Sequence, residues 1–405
     1  MTRWDAVVVG AGPAGSATAR FLAQAGARVL LLDRAQFPRD KPCSEYLSPQ
    51  STRVLERLGA DVVAAVEAAA PAHLYGMKLV APSGRVALGR FAADHGWRPP
   101  RPYGFALPRT VFDTILRDAA VRAGVEAWEG AAVEDLVYDA GAVGGVVVRT
   151  DNGQRTTLHA RVVIGADGLN SVVARRLGVR TEHTPRRVAY TAHVADVRDV
   201  GDAGEMHVGQ RGYVGLGPVG GGVTTVALVL PLAAVRADGR DMRRDFFAEL
   251  ERFPGLAGRF AARRLVRRVL VTGPFARWSR RTTADGALLV GDAADFFDPF
   301  TGQGIYAALR GAELAAEVLI PALAAGPVTA AALAPYRRAR RRAFLGKWTL
   351  ERLIGLGVGW PALAERVIAR LARRPALADL LVGATGNFVP ARAALRPGVL
   401  ARLLF

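Results

Sequence analysis

Glycines at positions 10, 12 and 15, with an aspartate at 33, are the first residues in this chain whose spacing implies chemistry. Gly10-Ala11-Gly12-Pro13-Ala14-Gly15 follows directly on the β-branched run Val7-Val8-Val9 and precedes the helix-friendly stretch Ser16 to Ala25. In such a turn Gly10 permits the tight bend, Gly12 lets backbone approach a pyrophosphate, and Gly15 lets the helix lie close on the strand. The helix entered through Pro13 and Ala14 offers free N–H groups and a positive dipole end to phosphate oxygens. Val29 to Leu32 reads as a second buried strand ending in Asp33 and Arg34, and an acid there accepts hydrogen bonds from a ribose diol. A glycine-rich turn that binds nothing is the alternative. Here strand, glycines, helix, second strand and acid all fall in the required order, so dinucleotide binding is expected.

The same grammar of apolar strand, turn and helix recurs twice. Val162-Val163-Ile164 runs into Gly165-Ala166-Asp167-Gly168 and a helix over 170–177; Ala287 to Val290 runs into Gly291-Asp292, a loop to Gly302-Gln303-Gly304, and a helix over 305–319. Parallel strands present their carboxyl ends to one sheet edge, where ligands bind. Between these segments, Ser51 to Leu58 and Arg109 to Ala123 read as helices, and residues 76–80 and 85–88 as a hairpin. Residues 133–138, 145–150 and 154–158 read as a meander turning at Asp151-Asn152-Gly153. Residues 187–271 read as glycine-punctuated strands with one helix over 242–252, and residues 328–405 as helices broken at glycine and proline.

Composition bounds the answer. With 405 residues, about half of them apolar and 22% charged, the chain is globular and long enough for two joined domains. Its single cysteine, Cys43, allows no internal disulfide, and its start runs straight into the first strand; both suit a cytoplasmic protein without a leader. No transmembrane span is expected. The net charge of +18 raises the question of nucleic acid, but of 54 basic residues only Lys41, Lys78 and Lys347 are lysine, a skew of genome composition, and no nucleic-acid motif is present. No nucleic-acid partner is expected. The charge is uneven, with 14 basic and 3 acidic residues from Tyr336 to the end. The six histidines show no metal spacing, so no metal is expected.

GAGPAG at 10–15, GADGLNS at 165–171 and GDAADFFDPFTGQGI at 291–305 resemble the FAD-dependent oxidoreductases of the aromatic-hydroxylase (p-hydroxybenzoate hydroxylase-like) fold, in the branch containing geranylgeranyl reductases. The likeness spans residues 5–320. It implies an α/β fold: a doubly wound FAD-binding (Rossmann-like) domain from residues 1–75, 103–180 and 280–325, an inserted antiparallel-sheet substrate domain from 76–102 and 181–279, and a helical C-terminal region from 326. It implies FAD as cofactor and NAD(P)H as reductant. Asp292, after Gly291, would hold a ribityl hydroxyl, and Pro299, Gly302, Gln303 and Gly304 would present backbone N–H groups to the flavin. The helix from Ile305 would set its positive end against the negative charge of a reduced flavin. Asp167 would lie near the FAD, or else serve as a turn or helix cap. Arg109, after Leu107-Pro108, would face the diphosphate, or else be a surface arginine.

Cys43 lies in a segment, DKPCSEYLSP at 40–49, that lines the flavin cavity in the reductase branch, with Ser44 here in place of the usual glycine. Cys43 and Tyr46 are the catalytic candidates, as proton donors or substrate anchors; an inert thiol and a packing aromatic are their alternatives. Two departures matter. Where the reductases carry a Tyr-x-Trp-x-Phe-Pro stretch, this chain has Gly212-Tyr213-Val214-Gly215-Leu216-Gly217-Pro218, keeping only the tyrosine and the proline. Halogenase relatives carry Trp-x-Trp-x-Ile-Pro and a lysine; the stretch is absent, and Lys78 reads as a solvent-facing strand lysine.

Two enzymatic readings result, both on a hydrophobic small molecule. NAD(P)H- and oxygen-dependent hydroxylation of an aromatic or polyketide-like ring comes first, because the reductase signature is broken. Reduction of a carbon–carbon double bond, as in geranylgeranyl reductases, is the alternative. A third reading is peripheral membrane contact through the basic helices, with Arg337, Arg338, Arg340, Arg341 and Arg342 as a charged face near Trp348, with or without turnover.

Overall fold

The three strand–turn–helix segments lie side by side. In the computed structural model, which describes residues 3–93, 95–235, 241–260 and 262–404, strands Ala287–Leu289, Arg155–Gly165, Trp4–Val9, Val29–Leu32 and Glu126–Trp128 follow one another in parallel across one sheet. Their apolar runs are buried on both faces. Ala6, Val8, Leu31, Val162, Ile164 and Leu288 pack under helices Pro13–Gln24 and Gly304–Ala325, while Val7, Val9, Leu30, Leu32, Val163 and Leu289 pack against the meander and the short helix Val172–Arg176. This is the alternation that a doubly covered parallel sheet demands. Arg155–Gly165 is one strand of 11 residues, where the sequence reads as two. It leaves the antiparallel meander and continues into the parallel sheet, and its polar Arg161 is absorbed by Asp5 at 3.0 Å.

A second sheet of seven strands runs in the order Arg264–Thr272, Arg187–Ala195, Val223–Pro231, Tyr213–Gly220, Gly204–Val208, Gly76–Val80, Val86–Arg90. The 204–219 segment is two strands, because Gly209 and Gly212 close a turn between them at 2.8 Å. The two faces of this sheet differ. Ala192, Val194, Val214, Leu216, Val226 and Leu228 bury Phe246, Phe247 and Leu250 of helix Met242–Leu250. Cross-strand pairing puts Thr191, His193, Tyr213, Gly215, Gly217, Thr225, Ala227 and Val229 on the opposite face, toward the parallel sheet's ligand edge. Helices Ala334–Val358, Pro361–Ala372 and Pro375–Thr385 close the same side, with Val358, Ile368, Leu371 and Ala378 in one cluster with Tyr213 and Val229. Among the described residues no helix is long and apolar enough to cross a membrane.

Candidate functional site

The glycine turn sits at the carboxyl end of the first strand. A side chain at Gly15 would run into the Gly10 carbonyl oxygen, so the helix can lie this close only on glycine. Pro13 occupies the first helical turn, and Pro13 and Ala14 are buried there. Gly12 has no backbone against it among the described residues: a Cβ there would meet the guanidinium tips of Arg39 (Nη2 at 3.5 Å) and Arg109 (Nη2 at 3.8 Å). Asp33 staples the turn to its neighbour strand, accepting from Ala11 N–H and Ala35 N–H, each at 2.9 Å. Arg34 beside it is exposed.

Cations gather over this turn. Arg109 is buried and bidentate on Asp113, at 2.6 and 2.7 Å. Burial works against its charge, but Asp113 prevails and its pKa is raised. Arg39 pairs through Nη1 with Asp113 at 3.0 Å and stands 3.5 Å from Asp33, which leaves its Nη2 toward Gly12. Lys41, which the sequence reading passed over, completes the group. Burial, then Arg39 and Arg109, push its pKa down, and Asp292 opposes them. The Asp292 carboxyl is pushed up by burial and pulled back by Lys41 and Arg109. The two ends of the site meet here: a Cβ on Gly291 would lie 2.9 Å from that of Ala14.

The turn Pro299–Thr301 leads to Gly302 in the left-handed region (φ 65°), Gln303, and the helix that Gly304 and Ile305 begin. Its key is Asp298, a residue the sequence reading missed. Asp298 Oδ1 accepts from Phe300 N–H at 3.0 Å and Tyr213 O–H at 2.6 Å, and Oδ2 accepts from Arg187 at 2.6 Å. Tyr213, the aromatic left from the broken signature, thus anchors this turn from the second sheet. The signal was the Asp-Pro pair itself, a turn opener. Thr301 donates to Glu351 at 3.2 Å, and Lys347 to Glu351 at 2.6 Å, so helix Ala334–Val358 supports the same turn. Tyr46 closes it from the other side, its ring 2.9 Å from where a Gly302 Cβ would be. Burial raises the Tyr46 phenol pKa, so it keeps its proton.

Cys43 is half-buried beside Arg109, and its sulfur accepts the Glu45 N–H at 3.3 Å. Its carbonyl accepts from Thr225 of the second sheet at 3.5 Å. Glu45 is fully buried with φ 62°; it takes the Arg109 N–H at 3.1 Å and stands 2.6 Å from His193 Nε2. The loop around Cys43 therefore bridges both sheets through Glu45 and His193. The sequence reading missed this pair, since 148 residues separate its members.

Two expectations change, and a third residue takes the alternative role that its sequence context allows. Asp167 acts as a helix cap, with Oδ2 accepting from Val172 N–H at 2.6 Å, while its buried Oδ1 has no partner among the described residues. Lys78 does not face solvent alone; it lies 3.5 Å from the buried Glu205. Arg340 and Trp348 leave the expected charged face: both turn inward onto Asp295, at 2.6 and 3.0 Å.

Residues 3–345 match the family described as FAD binding domain. The chain belongs to that family. This FAD-binding-domain protein is 33% identical over 336 residues to a menaquinone reductase of Mycolicibacterium smegmatis, covering 78% of the chain and 76% of the relative. It is 31% identical over 353 residues to a digeranylgeranylglycerophospholipid reductase of Methanothrix thermoacetophila, covering 85% and 84%. Its fold is that of a flavoprotein/dehydrogenase from Cytophaga hutchinsonii, with TM-score 0.86 and 21% identity over 98% of the chain and 96% of that structure. It is an FAD-dependent oxidoreductase. Its residues fit the cofactor. The space before Gly12 is rimmed by guanidinium groups that suit a diphosphate, and Gln303 Oε1 is buried without a hydrogen-bond partner among the described residues.

Proposed function

We propose that this FAD-dependent oxidoreductase reduces a carbon–carbon double bond in a hydrophobic, isoprenoid-like substrate, with NAD(P)H as the external reductant. The observation that carries the reading is a patch of small, half-exposed residues on the second sheet's inner face. Gly215 and Ala227, paired at its centre, stay half-buried while their neighbours Tyr213, Thr225 and Val229 are buried. Among the described residues, the flexible Met206 thioether alone would meet a Cβ on Gly215, its sulfur at 3.2 Å. Small uncharged residues on a half-exposed patch, with the Cys43 loop and the Pro299–Gly304 turn at its margins, suit an apolar chain. The digeranylgeranylglycerophospholipid reductase relatives support the same choice over hydroxylation, the first reading from sequence.

Bound FAD supplies hydride chemistry that no side chain has. The chain's own residues hold the diphosphate through Gly12, Arg39 and Arg109, and position the flavin through Asp292 and the Pro299–Gly304 turn. Tyr213 and Arg187 keep that turn facing the sheet. Tyr46, which retains its proton, orients substrate through its hydroxyl. The Cys43 Sγ–H is the proton source for the reduced carbon, and Glu45 and His193 hold its loop in place. The test is anaerobic incubation of the dithionite-reduced holoenzyme with polyprenyl compounds, read by mass spectrometry. Gain of two hydrogens per bond without oxygen is expected. A product that forms only in air and carries a new oxygen atom would overturn the proposal.

A further inference from the structure

Helix Ala334–Val358 is two-sided in an unusual way. Its inner side holds Tyr336, Arg340, Phe344, Glu351, Gly355 and Val358, all buried. At 3.6 residues per turn the opposite arc, roughly 120° wide, carries Arg338, Arg341, Arg342, Leu345, Thr349, Arg352, Leu353 and Leu356. All of these are exposed, and Trp360 just past the helix end is exposed too. Leu345 is 50% exposed, Leu353 48%, Leu356 61% and Trp360 63%. Large apolar side chains at this exposure, aligned on one helix face and headed by arginines, are what an interfacial helix presents.

Charge favours one partner. The three carboxylates after residue 336 are all engaged inward: Glu351 with Lys347 and Thr301, Glu365 with Ser83 at 2.8 Å, and Asp379 with the Arg90 N–H at 2.8 Å. None lies on the exposed arc, which is cationic at one end and mainly apolar, with Arg352 among its leucines, at the other. Arginine forks match phosphate oxygens, and leucine and tryptophan enter the acyl boundary. A nucleic acid would use the arginines and leave the leucines in water. We propose that this arc, rather than the charged face with Arg340 and Trp348 read from sequence, docks the protein on an anionic phospholipid bilayer.

The inner side of this helix holds the turn after Asp298, since Gly355 accepts from Arg187 at 2.8 Å and Glu351 from Thr301. The docked face and the flavin turn are therefore opposite sides of one helix. The proposal does not depend on the substrate chosen above.

Its test is flotation of the holoenzyme with vesicles of phosphatidylglycerol and phosphatidylcholine, against phosphatidylcholine alone. The wild type should float with the anionic vesicles, and less so in high salt. Leu356→Glu combined with Trp360→Ser, and separately Arg338, Arg341 and Arg342 all changed to Gln, should each lower partitioning about tenfold, which is about 1.4 kcal/mol. Retained flavin absorbance in each variant shows that it folds. No flotation of the wild type, or equal flotation of both folded variants, would overturn the proposal. So would duplex DNA binding that persists in the leucine–tryptophan variant alongside undiminished flotation.

Discussion

The cluster over Gly12 and the cluster around Glu205 are both buried and both rich in cations, yet they end differently. Glu205 stands 2.6 Å from Arg259 Nη1, 2.8 Å from His207 Nε2 and 3.5 Å from Lys78. Burial opposes its charge, but His207 and Arg259 prevail and hold its carboxyl down to about 2. All three side chains converge on one carboxylate. Over Gly12, Arg39 and Arg109 are tethered to Asp113, but their Nη2 atoms also face the space before Gly12, 3.5 and 3.8 Å from where a Cβ would stand, and Lys41 adds a third cation to this group. Cations spent wholly on a carboxylate tie a fold together; cations that are held by a carboxylate and still face a gap can take an anion there.

That contrast can be broken at several points. The largest effect belongs to Gly15→Val, whose side chain meets the Gly10 carbonyl; expression trials should yield no folded, flavin-loaded chain. Next, Glu205→Gln should cost about 3–5 kcal/mol of stability in denaturant unfolding, because it leaves Arg259 buried and unpaired. Its flavin-to-protein ratio should stay at the wild-type value, since no residue of the Gly12 cluster touches it. The same carboxyl sharpens the comparison through pH. Its folded pKa of about 2 lies below the ordinary 4.5, so its contribution is complete above 4.5 and is lost as pH falls through about 2. Acid titration of unfolding should show that limb in the wild type and a flatter one in Glu205→Gln.

A smaller effect is expected at Tyr213→Phe, which leaves Asp298 Oδ1 short of one donor. The cost in stability should be about 1–3 kcal/mol. Unlike Glu205→Gln, it should also weaken FAD affinity by about tenfold in a fluorescence titration, because Asp298 shapes the turn before Gly302. An unchanged affinity would separate that turn from the flavin.

Much of the parallel sheet was legible because its cues are local. Val7-Val8-Val9, the glycines and Asp33 lie within one unit, and the strands at 162 and 287 repeat its grammar. The cradle was legible in part, since Gly12, Arg109 and Asp292 stand in motifs. Lys41, Asp298 and the Glu45–His193 pair were not, because their roles come from partners far along the chain, such as Arg187 and Tyr213 for Asp298. The outer face of helix Ala334–Val358 was misread for a related reason. Consecutive arginines look alike in sequence, and only helical phase separates Arg340, which reaches Asp295, from Arg341 and Arg342, which face solvent. Asp33 reads from sequence as a ligand contact and Asp167 as a ligand contact or a cap; the structure gives each a backbone-clamping task, because an aspartate near a turn satisfies free N–H groups.

The account rests most directly on Gly12. The space before it should hold the diphosphate of one FAD per chain, so Gly12→Leu should fold normally and fill that space. Titrating FAD into the purified apoprotein should give an affinity at least about 100-fold below wild type, with thermal unfolding of the apo form little changed. A Gly12→Leu chain that binds FAD as tightly as the wild type would show that the cations over this turn serve something other than the flavin nucleotide.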